Sequence, residues 1–340
     1  MFSEMNIVWA IVLLAGGLLI LWKSADLLVA GAVALAERLG VSPLLIGLTV
    51  VAMGTSAPEV AASIAAAIRG EGDIAIGNVY GSNIANLALV GGLASLIRPL
   101  TIGRRTLRRE IPVMLIVALL LWPVLQNSAL SRVDGLILVA VFAALILLAV
   151  YLARKEATSS SRVPSTSLGA GVRDASSDTR NTRYATRNTE KDVLFIVIGL
   201  LGLAVGADLT VRGAKFIGEQ IGLSNAVVGQ TIVAIGTSLP ELATCVVAAI
   251  KGHHDISIGN LVGSNIFNTL LVTGVAATVR PFAVGARLIG SDYWLMIGVS
   301  VAFGLIALAG RHTIRRTGGT LLVCGYIGYL VYLFGYKPRL

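Results

Sequence analysis

Apolar residues in this chain run in long blocks and rarely alternate with polar ones. Blocks of membrane-spanning length lie at about 7–36, 43–69, 73–97, 107–125 and 133–153, each near the ~20 residues an α-helix needs to cross ~30 Å of hydrocarbon. Residues 154–191 then interrupt the pattern. They are rich in Ser, Thr, Arg, Asn and Asp with almost no large apolar residue, so they cannot bury a core and read as a mobile linker. Five further blocks follow near 192–218, 225–250, 255–279, 287–309 and 314–335. The pattern predicts an all-α membrane protein of ten transmembrane helices, divided into a first unit (1–153), a linker (154–191) and a second unit (192–340). The first block, about 7–22, has no basic segment ahead of it, and Lys23 and Asp26 stand where a cleavage site would need small residues. It reads as a retained helix, not a signal peptide.

The two units repeat each other. A constant shift of 182 residues superposes them without a gap over roughly 21–99. Asp26 meets Asp208, Gly40 meets Gly222, Thr49 meets Thr231, Asp73 meets Asp255, and Arg98-Pro99 meets Arg280-Pro281. Between positions 54 and 83 the halves share 18 identities in 30, more than common hydrophobicity produces, so the repeat organises the fold. Five helices per unit is an odd number, so the second unit enters from the opposite side. The copies are therefore inverted, with equivalent segments meeting near the midplane.

Composition agrees with this picture and sets the orientation. Of 340 residues 56% are hydrophobic and only 13% charged, which suits a multi-pass membrane protein and excludes an ordinary soluble domain. The net charge of +9 does not point to nucleic acid, because the basic residues lie in loops between apolar blocks. With the N-terminus outside, 18 Lys and Arg fall on the inner side and eight on the outer. That bias predicts a cell (inner or plasma) membrane protein with both termini outside and the linker in the cytoplasm. Cys245 and Cys324 form no ligand or redox spacing and read as small core residues.

Two motifs carry chemistry. Gly54-Thr55-Ser56-Ala57-Pro58-Glu59 lies inside the second block and returns as Gly236-Thr237-Ser238-Leu239-Pro240-Glu241 in the seventh. A carboxylate in hydrocarbon is costly and faces a cavity or partner. Pro58 offers no N–H to the Gly54 carbonyl and opens that turn. Thr55, Ser56 and Glu59 can share one helix side, giving a cluster of hard oxygens suited to Ca²⁺ and alkali ions. The bland reading is a kinked, packed helix whose Glu a neighbour satisfies; two symmetry-related copies weigh against it. The third and eighth blocks carry Gly77-Asn78-Val79-Tyr80-Gly81-Ser82-Asn83-Ile84-Ala85-Asn86 and Gly259-Asn260-Leu261-Val262-Gly263-Ser264-Asn265-Ile266-Phe267-Asn268. Ser82 with Asn86, and Ser264 with Asn268, share helix faces, while the GxxxG spacings predict close helix packing. For Asp26 and Asp208 both a structural reading, with Lys23 or Arg212 as partner, and a functional one stand. Asp73 and Asp255 read as helix caps, and His253 and His254 as solvated loop residues.

These paired motifs, in this order, resemble the two alpha repeats of the cation/calcium exchanger superfamily, the sodium/calcium exchangers and their bacterial relatives. The resemblance covers nearly the whole chain. It implies a ten-helix inverted-repeat antiporter, not an enzyme, with Ca²⁺ and Na⁺ as transported ions, the lipid bilayer as surroundings, and no cofactor or obligatory protein partner. It also implies that Thr55, Ser56, Glu59, Ser82 and Asn86, with Thr237, Ser238, Glu241, Ser264 and Asn268, surround the ions, helped by the carbonyls of Ala52 and Ala234. One departure matters. Many family members carry Asp where this chain has Asn268, so only Glu59 and Glu241 supply formal charge. That weakens potassium co-transport and leaves proton coupling open; a channel or receptor is the reading from another class.

Overall fold

The computed structural model describes residues 6–160, 189–220 and 234–335. Helix α1 (Ile7–Leu39) starts on Asn6, whose side chain accepts from the Trp9 N–H, and stops at left-handed Gly40. Helices α2 (Pro43–Thr55) and α3 (Ala57–Arg69) meet at a 45° bend. Then come α4 (Gly72–Ile97), strand β1 (Leu100–Thr101), α5 (residues 106–125), strand β2 (Ala129–Leu130) and α6 (Arg132–Ser160). The second unit has α7 (Thr189–Gln220), α8 (Ala234–Thr237), α9 (Leu239–Lys251), α10 (His254–Val279), strand β3 (Phe282–Ala283), α11 (Leu288–Ala309), strand β4 (Thr313–Ile314) and α12 (Arg316–Gly335). Among the described residues six helices are long and apolar enough to cross a membrane, seven with the bent α2–α3 pair. The other predicted segments are helical too: α5 and α12, and α8–α9, whose approach from 225 to 233 lies outside the described residues. So do Gly222, Thr231 and most of the linker; its two ends, 154–160 and 189–191, continue α6 and α7 as helix.

The units embrace reciprocally. β1 of the first unit pairs with β4 of the second, and β2 with β3, both antiparallel. At the end of α3, left-handed Gly70 caps the helix, and the guanidinium of Arg280 reaches over to the Ile68 carbonyl. At the end of α9, Gly252 does the same, and Arg98 donates to the Ile250 carbonyl at 2.6 Å. Each arginine satisfies a last-turn carbonyl of the opposite unit, where helix ends leave acceptors unpaired. The two arginine contacts are related by the 182-residue shift, so they have twofold pseudo-symmetry.

Helices α1 and α7 run side by side along glycines. A Cβ on Gly206 would stand 2.9 Å from the Leu21 nitrogen, and one on Gly199 2.8 Å from that of Leu28; small residues permit this close approach. Arg38 pairs with buried Asp192 across the same two helices. The GxxxG expectation holds for α10, where Gly259 packs on Gly47, their Cα region 3.0 Å from a built Cβ, and Gly263 packs on Leu48 and Ala52. The equivalent partner of Gly77 and Gly81 would lie at residues 229–234, largely outside the described residues. Trp122, Tyr293, Trp294 and Tyr80 form a linked aromatic group where α4, α5 and α11 meet.

Three local expectations change. Asp73 is no cap of its own helix: the N-cap position is Glu71, without a side-chain cap bond, and Asp73 Oδ1 instead accepts the Gly285 N–H at 2.7 Å from the other unit. Asp255 lies in the first turn of α10, whose N-cap His253 likewise makes no side-chain cap bond. Asp26 passes over Lys23, its neighbour in sequence, and pairs with Lys251; Asp208 pairs with Arg212 at 2.7 Å. Of the two cysteines, Cys245 is buried and Cys324 exposed.

Candidate functional site

The break between α2 and α3 falls on Ser56, whose φ and ψ of −86° and 9° leave the helical region. Pro58, in the first turn of α3, tolerates its lack of an N–H there, and the 45° bend turns Glu59 inward. The same break recurs at Ser238, with φ −88° and ψ 4°, before Pro240 and Glu241. Glu59 and Glu241 are both fully buried.

The hydroxyls beside the break point across to the other unit. Ser56 Oγ donates to Glu241 Oε1 at 2.8 Å. Thr55 Oγ1 lies 3.1 Å from Asn260 Oδ1, which also accepts from Ser264 Oγ at 3.5 Å. Thus Ser56 and Glu241, and Thr55 and Ser264, meet through residues 185 or more positions apart or through one shared amide. The Ala52 carbonyl accepts the Ser56 N–H at 3.1 Å and the Thr55 hydroxyl at 3.4 Å. Ala234 opens α8, the short helix leading to the second break.

Other groups of the predicted set are buried with their polar atoms unpaired. Both carboxylate oxygens of Glu59, Oε2 of Glu241, Ser238 Oγ, and the amide N and O of Asn86 and Asn268 have no hydrogen-bond partner within the protein. Ser82 is buried too, and Thr237 is partly exposed. Leaving so many polar atoms unmatched in a dry interior would cost ~1–3 kcal/mol each, so the cluster is built to receive something that supplies what the protein withholds. Asn86 and Asn268 stand on π-helical turns, 85–90 and 268–272, a distortion often found at working positions because it re-aims side chains. Among the described residues no three His, Cys, Asp or Glu gather as metal ligands; the negative charge here comes from two carboxylates amid neutral oxygens.

Asn78 and Asn260 were not singled out from the sequence as site residues. Asn78 Nδ2 donates to the Glu59 carbonyl at 3.2 Å and to Ser63 Oγ at 2.9 Å. Asn260 Nδ2, its equivalent, reaches Cys245 Sγ at 3.3 Å while its oxygen faces Thr55. Both fasten the carboxylate-bearing helices α3 and α9 to α4 and α10. The signal was present, since each Asn follows the repeated glycine of its motif.

A family profile described as "Sodium/calcium exchanger protein" matches residues 9–151 and 191–335. The chain belongs to that family. It is a multi-pass membrane protein with the fold of membrane transporters. Among relatives of this exchanger, inner membrane protein YrbG of Escherichia coli is 37% identical over 332 residues, 97% of this chain and 98% of the relative. Sodium/calcium exchanger MaX1 of Methanosarcina acetivorans is 34% identical over 343 residues, 94% of this chain and 96% of the relative. Among solved structures, the sodium-calcium exchanger NCX_Mj soaked with zero Na⁺ and Ca²⁺ superposes with a TM-score of 0.78 at 28% identity, covering 96% of this chain and all of that one.

Proposed function

We propose that this exchanger moves Ca²⁺ outward across the cell membrane in return for Na⁺, by alternating access of one central site. The observation that carries the reading is the pair of buried carboxylates, Glu59 and Glu241, one from each unit, set among hydroxyls and amides. Such hard oxygens match Ca²⁺ and Na⁺. The ions would be held by Glu59, Thr55, Ser56, Ser82, Asn86 and the Ala52 carbonyl with Glu241, Thr237, Ser238, Ser264, Asn268 and the Ala234 carbonyl. One Ca²⁺ would balance the two carboxylates, and three Na⁺ would leave one positive charge over, which makes such an exchange electrogenic. The names of MaX1 and NCX_Mj as sodium/calcium exchangers support the ion pair.

The proposed architecture is ten helices in two inverted units, 1–153 and 192–340, joined by a cytoplasmic linker with both termini outside. The reciprocal strand pairings and arginine contacts support it, as does the inward bias of Lys and Arg. No cofactor or obligatory partner protein enters this scheme.

Purified protein in vesicles tests the function through uptake of radioactive Ca²⁺ driven by a Na⁺ gradient. Uptake that follows the Na⁺ gradient and generates a membrane potential is the expected result. Uptake driven by a pH gradient instead would assign Ca²⁺/H⁺ exchange, and flux independent of any counter-ion gradient would make the protein a channel.

A further inference from the structure

The arginine contacts at the ends of α3 and α9 obey the 182-residue symmetry, but the ion pairs of Asp26 on α1 and Asp208 on α7 do not. Asp26 of α1 pairs with Lys251 at the end of α9. The shift maps Asp26 onto Asp208 of α7, and Lys251 onto Arg69 at the end of α3. Symmetry would therefore pair Asp208 with Arg69. It does not: Asp208 turns to Arg212 on its own helix, and Arg69 turns to Glu71 in its own loop. Packing follows the charges. α1 lies against α9, with Leu28, Val29, Val33, Val247 and Ala248 in one buried cluster, whereas α7 forms no comparable seam with α3. The same asymmetry reaches the site, where Ser56 donates to Glu241 but its equivalent, Ser238, makes no bond to Glu59.

We propose that Asp26–Lys251 and Asp208–Arg69 are two alternate latches of the transport cycle, of which this conformation holds the first closed and the second open. This rests on the alternating-access reading above. In an inverted repeat the two access states are the same structure with the units' roles exchanged, so a contact made by one half is made by the other half in the opposite state. In the opposite state Asp26 would leave Lys251 and Asp208 would reach Arg69. The pairs that stay symmetric, Arg98 to Ile250 and Arg280 to Ile68, belong to the part that does not move. All four latch groups are between about a third and three-fifths exposed, so each bond is weak enough to be exchanged within a cycle.

The test uses the full-length chain in membrane vesicles, with Cys245→Ser and Cys324→Ala and a specific protease site inserted in the linker. Arg69→Cys with Asp208→Cys is treated with a short bifunctional cross-linker, cleaved in the linker, and run on a gel, where only linked halves stay together. The link is expected to form, and its rate to rise roughly two- to fivefold, the weight of a partly exposed ion pair, when Asp26→Asn and Lys251→Gln remove the first latch. The mirror experiment, Asp26→Cys with Lys251→Cys, should speed by a similar factor on adding Asp208→Asn and Arg69→Gln. The swap Asp26→Lys with Lys251→Asp keeps the pair and should return the 69–208 rate to its starting value. No 69–208 link in Na⁺, in Ca²⁺ or without either, or a rate indifferent to the first latch, overturns the proposal. The readout needs no transported ion, so it can fail while Ca²⁺/Na⁺ exchange succeeds, and the reverse.

Discussion

Ser56 stands three residues before Glu59 in the same motif, yet its hydroxyl donates to Glu241, the carboxylate of the other unit, at 2.8 Å. Ser56 stands at the helix break, its φ and ψ of −86° and 9° outside the helical region. Ser56→Ala should remove one charge-assisted bond and leave Glu241 with neither oxygen satisfied. A loss of about 1.5–3 kcal/mol should appear as a lowered thermal midpoint of the ion-free protein in detergent. Ser238→Ala, whose hydroxyl makes no such bond in this conformation, should change that midpoint less.

Buried, unpaired carboxylates predict opposite effects on stability and on binding. Glu59→Gln should leave the thermal midpoint of ion-free protein in detergent unchanged or higher, because an unbalanced charge leaves the interior. It should abolish the stabilisation that saturating Ca²⁺ confers on the wild type, since a ligand raises the midpoint only if it binds the folded state. Vesicle uptake should fall below detection. A Gln variant that keeps both transport and Ca²⁺-dependent stabilisation would remove Glu59 from the site.

Asn268→Asp adds a third negative charge beside two that one Ca²⁺ would balance in the proposed site. Divalent binding should tighten tenfold or more, as expected for a buried opposite charge nearby, and turnover should slow because release is harder. Competition between Ca²⁺ and Na⁺ in equilibrium binding, measured beside uptake rates, separates the two effects. Unchanged Ca²⁺ affinity would place Asn268 away from the ion.

The glycine seam between α1 and α7 leaves no room for a methyl group at Gly206. Gly206→Ala should cost about 1–3 kcal/mol by overpacking against Leu21 and Gly17. A lowered thermal midpoint is the expected readout. Gly298→Ala, where a Cβ meets nothing within 4 Å, is the matched control and should be near neutral.

Arg98 and Arg280 make the same bond at equivalent ends of α9 and α3. Arg98→Gln and Arg280→Gln should each lower stability by about 1 kcal/mol, the worth of an ordinary hydrogen bond, and their effects should add because they share no partner. Strong non-additivity in the double variant's midpoint would show that the two ends are coupled.

Much of the fold was legible because apolar runs and a long internal repeat survive in one dimension. Segment edges such as 43–69 and 255–279 fall within a residue of the helices observed. The buried carboxylates were legible as well, since Glu59 and Glu241 sit far from any block edge. Pairings were not. Asp26 was read against Lys23, and Asp73 against its own helix, because sequence offers only near neighbours as partners. Lys251 and Gly285 reach those carboxylates from more than 200 residues away. Asn78 and Asn260 escaped for the same reason: a neutral amide in a glycine motif looks like packing until its partners across the helix pair are known.

What the chain determines by itself is a membrane-embedded, twice-repeated scaffold with one costly carboxylate in each half. A repeat makes the halves equivalent, so nothing written in it can say that Ser56 holds Glu241 while Ser238 leaves Glu59 alone, or that Lys251 pairs with Asp26 while Arg69 turns to Glu71. Only the tertiary structure decides this. Side-chain partners depend on which surfaces meet in three dimensions, and here α1 packs on α9 while α7 forms no comparable seam with α3.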